Sequence, residues 1–302
     1  MRLLLAGLFA LAFGQLANAE TVHSLGEVPK QLKTPEAKRF FSEQMQGKPA
    51  PDLLGVHLPA ALTADAIIGL LVPRDDKAKP HLVGAKSWPA RPNLYVAIVC
   101  TGGTAPYSAG EASCARSPGD DKEPPLHVYL GVLETKAGGA VSLVAASGAI
   151  DCATDWSRSN LPRRPAAADD AQGGIIRPHR FDRFDLARYK IAPDRVAFGL
   201  RGAWSESYSG GDANFTGLCL FTLDGKRLHE VLAAPMSAYA DVAGDWHKDG
   251  TRDHDITDAA NVLIVSGHQT GGHFDLLLKS RGHGKPQTFR WAQSAGAYRP
   301  AK

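Results

Sequence analysis

Beyond its first residues the 302-residue chain has no apolar run long enough to cross a bilayer as a helix. Neither sign of charge dominates: 34 lysines and arginines stand against 31 aspartates and glutamates, a formal net charge of +3. The basic residues are scattered except at Arg163-Arg164, so there is no electrostatic footprint for nucleic acid and no polybasic segment for a membrane surface. Phosphate loops and dinucleotide fingerprints are missing. No G-x-S-x-G elbow presents a nucleophile, and Ser205, Ser207 and Ser209 have no base nearby in the sequence. "HEVLA" at His229 has a single histidine and falls in an expected strand, where the i, i+4 convergence of a zinc protease motif does not exist. There is no internal repeat. Cysteine is sparse: Cys100, Cys114, Cys152 and Cys219 are the full set, and none of their spacings is a zinc knuckle.

What is present first fixes a compartment. In "MRLLLAGLFALAFGQLANAE" Arg2 supplies a positive n-region, Leu3 to Phe13 an apolar core, and Ala17-Asn18-Ala19 a small-x-small cleavage site. Residues 1–19 therefore read as a secretory signal, with the mature chain beginning near Glu20 in the periplasm or outside the cell. No cysteine follows the apolar core to take a lipid. In that oxidising setting four cysteines imply two disulfides. Pairing Cys100 with Cys114 would close the loop between them and leave Cys152 and Cys219 to tie the two halves; the other two connectivities remain open.

The body of the chain reads as mainly β, in antiparallel sheets of a propeller-like or sandwich/barrel kind, with one short N-terminal helix. That helix is "TPEAKRFFSEQMQG", capped by Thr34, opened by Pro35 and stopped by Gly47. Strands are expected at Asn93–Cys100, Leu126–Glu134 and Val141–Ser147 from their length and β-branched content. "AIIGLLVP" (Ala66–Pro73) is assigned to a strand in preference to a buried helical turn. In "RVAFGLRGAWSESY" Val196, Phe198, Leu200, Trp204 and Tyr208 share a face, while Arg195, Arg201 and Ser205 take the other, which describes a half-buried strand. Asp224-Gly225 between two apolar runs is a hairpin signal. Further strands follow in "NVLIVSG", "HFDLLLKS" and "QTFRWAQSAGAYRP". Two polar stretches interrupt the pattern: Thr101–Pro125, pinned by Cys114, and Ser157–Pro178, rich in Pro, Ala and Asp. The second divides the chain into an N-terminal β-rich domain (20–156), a linker or long loop (157–178) and a C-terminal β domain (179–302).

The densest chemistry lies in "GDWHKDGTRDHD", Gly244–Asp255. Asp245, Asp249 and Asp253 recur every fourth residue and Gly250 follows the second. This is the frame of a nine-residue calcium loop, with acids at its first, fifth and ninth positions and the Thr251 carbonyl at the seventh. The third position is His247, a nitrogen donor ill suited to a hard cation. A solvated turn held by local aspartate hydrogen bonds, and a site for another metal, are the alternatives. "DWH" with "GHQTGGH" also resembles fragments of metallophosphoesterase motifs, but the blocks that separate those fragments in that family are missing, and His268 and His273 are split by a glycine turn.

The D-x-x-x-D-G-x-x-D loop resembles those of FG-GAP and VCBS-type repeats. Together with the leader, the β-rich body and the C-terminal "FRWAQSAGAYRP", it resembles bacterial envelope proteins that include calcium-loop lysozyme inhibitors and secretion-system immunity proteins, over the last third of the chain. The resemblance implies binding without catalysis. By analogy with inhibitors that push a Ser/Gly loop into an enzyme cleft, the contact residues would be Ser207, Ser209, Gly210 and Asp212, the partner a cell-wall hydrolase or toxin, and the cofactor calcium. Two alternatives are carried beside it: a secreted metal-dependent hydrolase using the Asp/His stretch, and a structural envelope protein that calcium stabilises.

Overall fold

The computed structural model describes residues 20–47, 51–103, 114–116, 122, 124–136, 138–282 and 285–301. The expected leader, residues 1–19, lies outside them, as does most of the Thr101–Pro125 loop. Strands take 54 % of the residues and helices 13 %, so the chain is mainly β as its alternating and β-branched runs require.

The N-terminal segment forms β1 (Glu20–Val22), a 3-10 turn, α1 (Val28–Gln31) and α2 (Pro35–Gln46). In α2 the sequence signals act as expected: Thr34 Oγ1 accepts from Ala37 N, and Gly47 ends the helix at φ 58°. Next come α3 (Ala64–Leu71), β2 (Pro80–Ser87), β3 (Leu94–Thr101), β4 (Cys114–Ala115), β5 (His127–Thr135) and β6 (Val141–Ala149). The helix α3 corrects the strand expected at Ala66–Pro73. Thr63 caps it by accepting from Ala66 N, Asp65 lies in its first turn, and Ile67 and Leu71 are its buried residues. The run therefore buries a helical stripe on the sheet rather than alternate residues of a strand.

After β7 (Thr154–Asp155), α4 (Ala167–Asp170) and β8 (Ile175–Ile176), the second half is a run of long antiparallel strands. These are β9 (Arg180–Ala192), β10 (Arg195–Tyr208), β11 (Gly211–Asp224), β12 (Arg227–Trp246), β13 (Arg252–Thr270), β14 (His273–Ser280), β15 (Gln287–Ala292) and β16 (Ala297–Pro300). Each pairs with the next from β9 to β16, and β4 adds to the far edge of β9. The antiparallel set β2–β3–β5–β6 joins the same 14-stranded sheet where Ala146 of β6 meets Arg227 of β12. The result is a nearly closed, barrel-like sheet.

The strands β10–β13 are long enough to be covered by two units in succession on each face. On one face Phe198, Leu200, Cys219 and Phe221 pack with Val96, Ile98, Val128 and Leu130 of the β2–β6 set. Further along, Trp204, Phe215, Ala238 and Ala240 pack with Trp156, Leu161 and Ala168 of the stretch before β9. On the opposite face Ala197, Leu218 and Leu220 meet Leu276, Leu278, Phe289 and Tyr298, and then Tyr239 and Ile256 meet Val28, Leu32, Phe40 and Phe41 of α1 and α2. Residues Ala197 to Trp204 of β10 are consequently buried without a break. The half-buried strand expected here is covered on both sides: Arg201 is 9 % exposed and ends in an ion pair with Asp185 at 2.6 Å, which a buried guanidinium needs.

Both disulfides follow the pairing that closes the shorter loop. Cys100–Cys114 ties β3 to β4, and Cys152–Cys219 fastens the segment before β7 onto β11.

Candidate functional site

Two hairpin ends lie side by side at one end of the long sheet, and each carries one of the stretches singled out in the sequence. The first is the β10–β11 turn, Tyr208–Gly211, where Tyr208 pairs with Gly211. The second is the β12–β13 hairpin, which closes over Trp246 and Arg252. Arg252 joins them. Its Nε donates to Gly244 O at 2.8 Å, its guanidinium lies 5.2 Å from the centre of the Trp246 ring, and a Cβ on Gly210 would come within 2.5 Å of its Nη1. Gly210 also sits at φ 90°, a left-handed conformation that favours glycine.

The "HKDGT" turn has an ordinary hairpin chemistry. His247 N–H donates to Thr251 O at 2.8 Å and Gly250 N–H to His247 O at 3.1 Å, with Gly250 at φ 84°. This is a three-residue loop built on a type I turn followed by a left-handed glycine. Asp249 stiffens it by accepting from the Thr251 backbone N–H at 3.0 Å and from Thr251 Oγ1 at 2.7 Å, bonds that hold its carboxyl below the usual range.

Of the three aspartates in the calcium frame, Asp253 alone enters a group of potential metal ligands. That group is His23, His247 and Asp253, whose ligand atoms all lie within 4.8 Å of one another. His247 Nε2 and His23 Nδ1 donate to the same Asp253 Oδ1, at 2.7 and 3.0 Å. The hydrogen bond to Asp253 raises the His247 pKa, helped by the charges of Asp253, Asp249 and Asp245. The two imidazoles in turn hold the Asp253 carboxyl low. Asp245 is exposed on β12 and reaches the group only through its charge. A shallow hollow of about 400 Å³ beside the group is lined by His23, His247, Lys248, Asp249 and Thr251.

His23 reaches this position because β1 pairs along β13, with Val22 opposite His254 and Thr21 opposite Asp255. Thr21 Oγ1 donates to Asp255 Oδ1 at 2.6 Å, and Lys33 N, Thr34 N and Thr34 Oγ1 all donate to the Asp258 carboxylate. His23 and Asp253 are 230 residues apart in the chain, and no local pattern signals their meeting. His268 and His273 belong to no group of three metal-capable side chains among the described residues. His273 instead stacks on Trp291 at 3.7 Å. A second group, Cys152, Cys219 and Glu230, has its sulfurs committed to the disulfide.

Ser207, Ser209 and Gly210 are exposed at the first turn, whereas Asp212 turns inward. Its Oδ1 is buried without a hydrogen-bond partner, and it pairs in register with Asp241 on β12. Burial and the Asp241 charge push its pKa up to about 6. Asp241, itself 5 % exposed, accepts from His254 Nδ1 at 2.7 Å. Beside the turns, Tyr208 is 41 % exposed and Trp246 69 %, the most exposed large apolar side chain among the described residues. The sequence did carry a sign of this: an apolar ring three residues before the Asp249-Gly250 pair sits at a hairpin end that the core does not reach.

Comparison with known proteins gives no matching family model, no matching characterised protein and no matching solved structure. The two hairpin ends are accordingly argued from their own chemistry.

Proposed function

We propose that this is a non-enzymatic binding protein of the periplasm or extracellular space, an inhibitor or immunity protein acting on a cell-wall hydrolase or a secreted toxin. The observation that carries the reading is the trio Tyr208, Trp246 and Arg252, gathered on two abutting hairpin ends of a sheet that is clamped on both faces. Tyrosine, tryptophan and arginine are enriched among the residues that dominate binding energy at protein interfaces, the rings because they bury large area at low conformational cost and the guanidinium because it forms directed, charged hydrogen bonds. Here the two rings are exposed and Arg252 is half-buried between them and the hairpin backbone, on a rigid base. The exposed Ser207, Ser209 and Gly210 form the edge of the same surface and allow close backbone approach. The two disulfides fit a chain that folds outside the cytoplasm.

The test is inhibition and affinity capture by the mature protein across a panel of peptidoglycan hydrolases and envelope toxins, run beside generic phosphatase, esterase and protease substrates with added divalent metals. One panel member should be bound and inhibited, and Trp246→Ala should weaken that binding by on the order of thirtyfold, a loss of about 2 kcal/mol. Metal-dependent turnover that His247→Ala abolishes, with no inhibition of any panel enzyme, would replace this reading with the hydrolase.

A further inference from the structure

We infer that the end of the β12–β13 hairpin binds one divalent transition-metal ion of the zinc class, through His23 Nδ1, His247 Nε2 and Asp253 Oδ1. The donors are already gathered: the two nitrogens stand 3.0 and 2.7 Å from the shared carboxylate oxygen, and all three atoms fall within 4.8 Å. Zinc bonds of about 2.0–2.1 Å to nitrogen and oxygen place tetrahedral ligands about 3.3 Å apart. Exchanging the shared hydrogen bonds for a central ion therefore opens the two nitrogen–oxygen separations by a few tenths of an ångström each and draws the two nitrogens, already within 4.8 Å, together. Backbone structure holds two of the three positions, since Asp253 lies within β13 and His247 closes the hairpin loop. The third, His23, follows directly on β1.

The donor chemistry selects the ion. Two imidazoles and one carboxylate suit zinc, nickel or copper, whereas calcium takes six to eight oxygens. Of the other acids in the loop, Asp249 is engaged with Thr251 and Asp245 stands outside the group. Three protein ligands leave one position open towards the adjacent hollow, where water or a donor from another molecule completes the shell. An ion held this way pins the N-terminal strand to a hairpin 230 residues away, without reference to any binding partner.

The experiment uses the mature, untagged chain, titrated calorimetrically with zinc chloride and separately with calcium chloride, with amide hydrogen exchange read over Thr21–His23. One zinc per chain should bind. His23→Ala and His247→Ala should each weaken it by on the order of tenfold or more, Asp245→Asn should change it less than about twofold, and the Thr21–His23 amides should exchange more slowly in zinc. All the substituted side chains are at least partly solvent-exposed, and circular dichroism confirms the fold of each variant. Absence of zinc binding, zinc affinity unchanged in the His23→Ala/His247→Ala double variant, or tight binding of calcium that Asp245→Asn abolishes would each overturn the inference.

Discussion

Asp212→Asn should make the protein more stable at pH 8 and leave it nearly unchanged near pH 4. In the folded protein this carboxyl has one oxygen buried without a partner and faces Asp241, with the Tyr239 ring and the Asp241–His254 pair closing the same side of the sheet. The result is a pKa raised from 3.8 to about 6. Below pH 3.8 the folded and unfolded chains both carry the proton, and the site costs nothing. Between 3.8 and 6 the unfolded chain releases it while the folded chain keeps it, so stability falls as pH rises; above 6 the loss is complete. At 1.36 kcal/mol for each tenfold in proton affinity the full loss is about 3 kcal/mol. Partial solvent access brings the expected gain of the amide to roughly 1–2 kcal/mol. Its NH₂ group can also donate to Asp241, which the carboxylate cannot. Urea unfolding of wild type and variant at both pH values, with disulfides intact, measures the difference. A variant equal to or weaker than wild type at pH 8 would refute the buried-charge account.

The opposite sign is expected at Asp76, whose carboxyl accepts from Tyr129, Thr101, Ala78 and His127 and is held down at about 2. Its contribution is present above pH 3.8 and lost as pH falls through about 2, so Asp76→Asn should cost about 2 kcal/mol at pH 7 by urea unfolding, with the gap closing in acid. Replacing both Cys152 and Cys219 by alanine removes a bridge across 67 residues and should lower stability by about 4 kcal/mol; a loss under about 1 kcal/mol would show that the unfolded chain is not what the bridge restrains.

The strands β3, β5, β10 and β14 fall within a residue or two of the runs that announced them, because β-branched alternation and turn residues are local signals. The Asp224-Gly225 hairpin was legible for the same reason, with Gly225 at φ 57°. The Asp-Gly pair at Asp249-Gly250 is an equal hairpin signal, but the spacing of the aspartates drew it towards an ion site. The helix α3 was misread since its eight residues are apolar enough to suit either structure; the cap at Thr63 was the deciding sign. Neither the second cover over β10 nor the meeting of His23 with Asp253 has any local trace. Both depend on pairings across most of the chain, which register and periodicity within a window do not report.

That β1, α1 and α2 rest on β12 and β13 has a consequence for the order of events in folding. The N-terminal segment emerges first, yet Tyr239 and Ile256, the sheet residues that receive Val28, Leu32, Phe40 and Phe41, are made about two-thirds of the chain later or more. Until then those rings have no permanent partner. Contacts of such high sequence separation are slow to close, so the first residues to be made should be among the last to reach their native places, and the interval before they do is when the chain is most exposed to wrong association.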